Sequence, residues 1–68
     1  MPKRLSSDEV ARILAKNGFE LVSQKGSHQK FRDTAGHSAI VPAGRREIPL
    51  GTLASIIRQS GLRRDLFL

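Results

Sequence analysis

The stretch Phe19-Glu20-Leu21-Val22-Ser23-Gln24-Lys25-Gly26-Ser27-His28-Gln29-Lys30-Phe31-Arg32 decides the architecture. Read with a period of two, Phe19, Leu21 and Ser23 face one way and Glu20, Val22 and Gln24 the other, as in a strand running from Phe19 to Lys25. Gly26-Ser27 has the length of a two-residue hairpin loop. Gly26 supplies the positive φ that the first central residue of a type II′ turn requires. His28 to Arg32 is then the returning strand. Phe31 is its one large apolar residue, so its other side is expected to be wet. Connections this short force the strands antiparallel.

Upstream, Ser6 and Glu9 have the spacing of a capping box, with Leu5 and Val10 placed as the hydrophobic staple around it. Val10, Ile13 and Leu14 recur at helical spacing with Ala11 beside them, while Asp8, Arg12 and Lys16 take the wet side. Asn17-Gly18 ends this helix, Gly18 providing a left-handed stop. Downstream, Asp33 to Gly36 holds a turn. Ser38 to Val41 is a short third strand, ended by Pro42, which has no N–H to give a ladder. Ala43 to Glu47 is a loop. A second helix begins near Pro49, whose missing N–H is not needed in a first turn, and carries Leu53, Ile56 and Ile57 as its apolar stripe. Gly61 stops it, with Leu62 folding back as in a Schellman motif. Arg63 to Leu68 is either a helical turn that covers the core or an apolar tag for a partner.

The order helix, three strands, helix makes an α+β fold: one three-stranded antiparallel sheet with both helices on one face. The other face stays open. The 68 residues contain no repeat and no linker and form one domain. A chain this short buries only about 60% of its unfolded surface, so local sequence must support the fold.

Twelve Lys and Arg face six Asp and Glu, a net charge of +6 that favours a polyanionic partner. Lys25, Lys30, Arg32, Arg45 and Arg46 are opposed only by Asp33 between Leu21 and Arg46, and nucleic acid is the preferred partner class. A membrane surface is disfavoured, because the basic residues do not share one amphipathic helix. No apolar run is long enough to span a bilayer, and Met1 to Ser7 lacks the apolar segment of a signal peptide. The absence of cysteine excludes disulfides and thiolate metal sites and fits the reducing cytoplasm. His28 and His37 have only Asp33 near them as a further ligand type, whereas zinc takes three or four protein ligands, so neither metal nor cofactor is expected.

By position alone His28 is an ordinary exposed hairpin residue, and so is His37 in its turn. Lys25, Lys30, Arg32 and Arg45 read equally well as a solvated face or as phosphate contacts. Phe19 and Phe31 read as core rather than as stacking platforms. Ser27 has no acid–base relay beyond adjacent His28, and neighbouring strand residues point to opposite faces; it is expected to shape the turn.

The chain resembles a known family. Lys16-Asn17-Gly18-Phe19, Gln24-Lys25-Gly26-Ser27-His28 and Phe31 resemble the N-terminal half of HicA toxins. Val41-Pro42, Glu47-Ile48-Pro49, Gly51-Thr52-Leu53, Ile56-Ile57 and Gln59-Ser60-Gly61-Leu62 resemble the C-terminal half. Gly-Ser-His alone is a weak signal; the ordered series from about Ser6 to Leu62 is a strong one. The resemblance implies a double-stranded-RNA-binding-domain-like fold. It also implies metal-independent endoribonuclease activity on messenger RNA and neutralisation by a HicB-type antitoxin. It makes His28 the residue on which activity depends, as acid or base, with Lys25, Ser27, Lys30, Arg32 and Arg45 as candidate RNA contacts. The sequence departs from many relatives at Ala43-Gly44, where a histidine or other polar residue often follows Val-Pro, and at Ala54, where a basic residue is common. No auxiliary role is carried to those positions. The alternatives are a non-catalytic RNA-binding module of the same fold and a purely interacting protein whose basic face meets an acidic antitoxin.

Overall fold

A computed structural model describes residues 4–67; Met1 to Lys3 and Leu68, the last residue of the expected tail, lie outside it. The elements are α1 (Ser7–Lys16), β1 (Glu20–Lys25), β2 (His28–Arg32), β3 (Ser38–Pro42), α2 (Leu50–Ser60) and a final 3₁₀ turn (Arg64–Phe67). The sheet is antiparallel in the order β1-β2-β3. This is the α+β, double-stranded-RNA-binding-domain-like order expected from the sequence.

The capping box forms as its spacing requires. Ser6 Oγ accepts the Glu9 N–H at 3.1 Å, and Glu9 Oε1 accepts the Ser6 N–H at 2.9 Å. Two of the four orphan donors of the first turn are thereby paired. Val10 and Leu14 of α1, Leu53 and Ile56 of α2, and Phe31, Ala39 and Val41 of the sheet share one core with Leu5, Phe19 and Ile48. Both helices therefore bury their stripes on the sheet face that carries Phe31. The tail supplies the lid of this core: Phe67 is 1% exposed and belongs to the same cluster. Of the two readings of the tail, the structure gives the helical turn that covers the core.

Three details differ from the sequence reading, each for a local reason. The strand alternation Phe19, Leu21, Ser23 is broken by a bulge between Leu21 and Ser23. Leu21 pairs with Phe31 but Ser23 pairs with Lys30, so Leu21 and Ser23 lie on opposite faces and Val22 is the extra residue. Pro42 belongs to β3 instead of ending it. The Ile40 N–H points away from β2, to Gln59 Oε1 at 3.1 Å, so two residues on the missing N–H of Pro42 falls on that same outer edge. Pro49 caps α2 from outside, at φ −55° and ψ 144°, and Leu50 is the first helical residue.

The end of α2 also takes a simpler form than the Schellman pattern. Gly61, at φ 71°, donates its N–H to the Ile57 carbonyl at 3.2 Å, the single bond of a left-handed cap. The Leu62 N–H goes to Ser60 Oγ at 3.1 Å instead. An added Cβ at 61 would also sit 3.0 Å from His37 Nε2, so the imidazole would have to give way by a few tenths of an ångström.

His37 is held in place from its own turn. Asp33 Oδ1 accepts the His37 N–H at 2.7 Å, and Asp33 Oδ2 lies 2.9 Å from His37 Nδ1. The Asp33 N–H in turn reaches the His37 carbonyl at 3.1 Å. Desolvation pushes the Asp33 carboxyl up, but the hydrogen bonds and charge of His37 outweigh it, and the group ionises below its ordinary value of 3.8.

Two predictions follow from this packing. Phe67→Ala removes a fully buried ring and is expected to cost about 3–5 kcal/mol, read as a shift in urea midpoint at unchanged slope. For Asp33 the folded-state pKa is depressed, so its stabilisation is present above 3.8 and is lost as pH falls through the folded value. Wild type is therefore expected to be more stable than Asp33→Asn at about pH 5, with the gap closing by about pH 2. A gap that stays constant with pH would rule out the carboxylate as its source.

Candidate nucleic-acid interface

The hairpin turn sets the geometry around His28. Gly26 has φ 59° and no residue other than glycine has positive φ among the described residues, so Ser27 sits at negative φ. That combination is the one a type II′ turn uses. A two-residue loop makes Lys25 and His28 direct cross-strand partners, as observed, and paired residues share a face. His28, Lys30 and Arg32 alternate along β2 on that same face, and Gln29 and Phe31 take the opposite one. On β3 the face continues through Pro42 opposite His28, Ile40 opposite Lys30 and Ser38 opposite Arg32. It is the open face, since Phe31, Ala39 and Val41 point into the core.

His28 also lines a cleft of about 310 Å³ together with Ile40, Pro42, Arg45, Pro49 and Thr52. Three elements meet there: the head of β2, the end of β3 with its following loop, and the start of α2. The His28 ring has no hydrogen-bond partner among the described residues, and Lys25, Lys30 and Arg45 have no ion-pair partner among them. Both imidazole nitrogens are left for a ligand. Among the described residues no side chain caps α2 and no acidic residue stands in its first turn, which begins beside the cleft.

The structure thus brings His28 and Arg45 together, although 17 positions in sequence separate them. Lys25 stands directly across from His28. Lys30 lies two residues along β2, roughly 7 Å away, and Arg32 four residues along, roughly 13 Å. Arg32 does not line the cleft; its Nε reaches Ser38 Oγ at 3.5 Å and it stands across the sheet from Glu20. Ser27 does not line the cleft. Its carbonyl accepts the Ala43 N–H at 2.6 Å, tying the hairpin turn to the loop that carries Arg45.

Among the cleft walls, Pro42 and Pro49 read in the sequence as ends of elements and Thr52 as part of a family segment, none of them as a site residue, and neither Ile40 nor Ser7 carries a functional signal there. Ser7 is 3% exposed, and its hydroxyl donates to the Pro42 carbonyl and accepts the Arg45 N–H at 2.9 Å. The Ser6-Ser7 doublet is the only sequence signal for it, and the capping box accounts for Ser6 alone.

A larger hollow of about 610 Å³ lies between α1 and the sheet, lined by Ala11, Ala15, Phe19, Leu21 and Phe31 with Asp8, Arg12 and Glu20 among its charges. It holds no histidine and mixes both signs of charge, so the smaller cleft is the chemically equipped one. Among the described residues no helix is long and apolar enough to cross a membrane. His37 is not part of the interface: its ring is held between Asp33 and Gly61.

No curated protein sequence matches the chain. Residues 7–62 match the family described as the HicA toxin of bacterial toxin-antitoxin systems. That span runs from the first residue of α1 past the glycine that ends α2, and includes the hairpin, the cleft and both helices. The chain belongs to the HicA toxin family.

Proposed function

We propose that this toxin cuts messenger RNA at the His28 cleft by internal transesterification. The observation that carries the reading is the meeting of an unengaged imidazole and a free guanidinium, His28 and Arg45, in one open cleft at the head of a basic sheet face. RNA brings its own nucleophile. The 2′-oxygen attacks the adjacent phosphorus, the bond from phosphorus to the 5′-oxygen breaks, and a 2′,3′-cyclic phosphate and a 5′-hydroxyl remain. An imidazole ordinarily ionises near pH 6.5, which suits it to take the 2′-hydroxyl proton near neutrality. Arg45, with the N-terminal amides of α2 beside it, supplies the positive charge for the developing charge on the phosphoryl oxygens. Lys25, Lys30 and Arg32 form a track along β2 for the flanking phosphates. Ser27 does not line the cleft, so its hydroxyl is assigned at most a contact to the RNA backbone.

His28 takes the 2′-hydroxyl proton and no second histidine stands in the cleft as acid, so water protonates the leaving 5′-oxygen. The enzyme is accordingly slow beside ribonucleases that hold two histidines. The antitoxin of this pair is a HicB-type protein with an acidic surface that covers the cleft, because masking His28 stops the chemistry directly. The site of action is the cytoplasm, where messenger RNA is found.

Expression of wild type is expected to arrest growth and to create new 5′ ends in total RNA. His28→Ala at equal soluble level is expected to do neither while still binding RNA. In vitro, cleavage is expected to persist in excess chelator, and Lys30→Ala to lower the salt slope of RNA affinity by about 0.7. Loss of RNA binding in His28→Ala, or equal cleavage by wild type and His28→Ala, would remove His28 from the chemistry. Intact RNA in all strains would favour a non-catalytic RNA-binding module.

A further inference from the structure

The loop that carries Arg45 has no regular structure between β3 and α2, yet Arg45 is brought to the cleft from a position 17 residues after His28. Its backbone is gripped at one point. The Ser7 N–H donates to the Arg45 carbonyl at 2.9 Å, and Ser7 Oγ accepts the Arg45 N–H at 2.9 Å. The same hydroxyl donates its proton to the carbonyl of Pro42, another wall of the cleft. Ser7 thus uses its amide and both roles of its hydroxyl on a loop 35 to 38 residues away. It is also nearly sealed from water, at 3% exposed. In the first turn of a helix an amide needs no partner within the helix, so this one is available for the loop.

We propose that Ser7 is a positioning residue for RNA cleavage: it holds the backbone of Arg45 so that the guanidinium meets the phosphate attacked beside His28. This rests on the ribonuclease reading of the same cleft. Ser7 touches no substrate and acts only through Arg45 and Pro42. Alanine at this position keeps the amide bond to the Arg45 carbonyl but leaves the Arg45 N–H and the Pro42 carbonyl without their side-chain partner. The loop then samples several positions, and Arg45 reaches the phosphate for part of the time only.

The test is a cycle of four proteins: wild type, Ser7→Ala, Arg45→Ala and the double variant. Single-turnover cleavage of a single-stranded RNA and amide exchange by NMR are measured for each. Ser7→Ala is expected to slow cleavage on the order of tenfold, and to release the Arg45 amide to exchange while amides of β2 stay protected. In the Arg45→Ala background Ser7→Ala is expected to change the rate little, because the group it positions is gone. A purely structural serine would slow both backgrounds alike. Should Ser7→Ala fail to fold, Ser7→Cys keeps the volume with a weaker acceptor and is expected to show the same pattern in reduced degree. Equal effects in both backgrounds, or a wild-type rate in a folded Ser7→Ala protein, overturn the proposal alone. A wild-type chain that neither binds nor cuts RNA overturns the ribonuclease reading together with it.

Discussion

Three hydrogen bonds at Ser7 connect the first turn of α1 to the end of β3 and to the loop that follows it, two segments that wall the cleft. A further bond, from the Ile48 N–H to the Leu5 carbonyl at 2.7 Å, extends the grip to the residue whose side chain enters the core ahead of α2. On the other side of the loop the Ala43 N–H is held by the Ser27 carbonyl. An irregular segment is thereby fixed at both flanks without a strand or helix of its own. Leaving a buried polar group unpaired costs about 1–3 kcal/mol, against a total stability of about 5–15 kcal/mol for a small domain. The first turn of α1 is consequently a part of the cleft's frame as much as of the core.

The two histidines stand in contrasting surroundings. His37 has what a catalytic imidazole often has, a carboxylate 2.9 Å from one ring nitrogen. Its Nε2 edge, however, lies against Gly61 at the end of α2, and the carboxylate belongs to the turn that His37 itself closes. His28 has no orienting carboxylate among the described residues, but it shares a cleft with Arg45, which has no ion-pair partner among them. A dyad search would choose His37. Positive charge and open space lie on the side of His28, which is the ground on which the proposed reading rests.

Much of this was legible in the residues. The capping box at Ser6 and Glu9, the hairpin at Gly26-Ser27 and the helix stop at Gly61 are encoded within four residues of where they act, and each formed. Phe19 and Phe31 went to the core, as their scarcity among polar neighbours suggested. Lys25, His28, Lys30 and Arg32 share a face because strand parity and a two-residue loop leave no other arrangement. Arg45 and Ser7 were different. Their partners lie far along the chain, and nothing in the neighbourhood of Ser7 distinguishes a serine that clamps a loop from one that faces water. Long-range bonds of that kind are set by the tertiary fold, which local periodicity does not encode.

The bulge in β1 is an intermediate case, and it bears on the site. Counting back from the Lys25–His28 pair that the turn dictates, Phe31 would meet Val22, and Leu21 would lie on the open face beside Arg32. The apolar pattern demands otherwise: Phe19, closing α1 into the core, is followed by Leu21 at strand spacing, and Leu21 is the residue found opposite Phe31. Turn and pattern differ by one residue, and Val22 is the residue that absorbs the difference. The mismatch was present in the sequence, but a strand read by itself has no partner against which to count. With the bulge, Glu20 instead of Leu21 faces Arg32, so the far end of the basic track is polar. Without the bulge, satisfying Phe31 with Leu21 would require moving the whole hairpin by one residue, and that slip would turn Lys25 away from His28. One extra residue thus sets Leu21, itself half exposed, opposite Phe31 while Lys25 stays opposite His28.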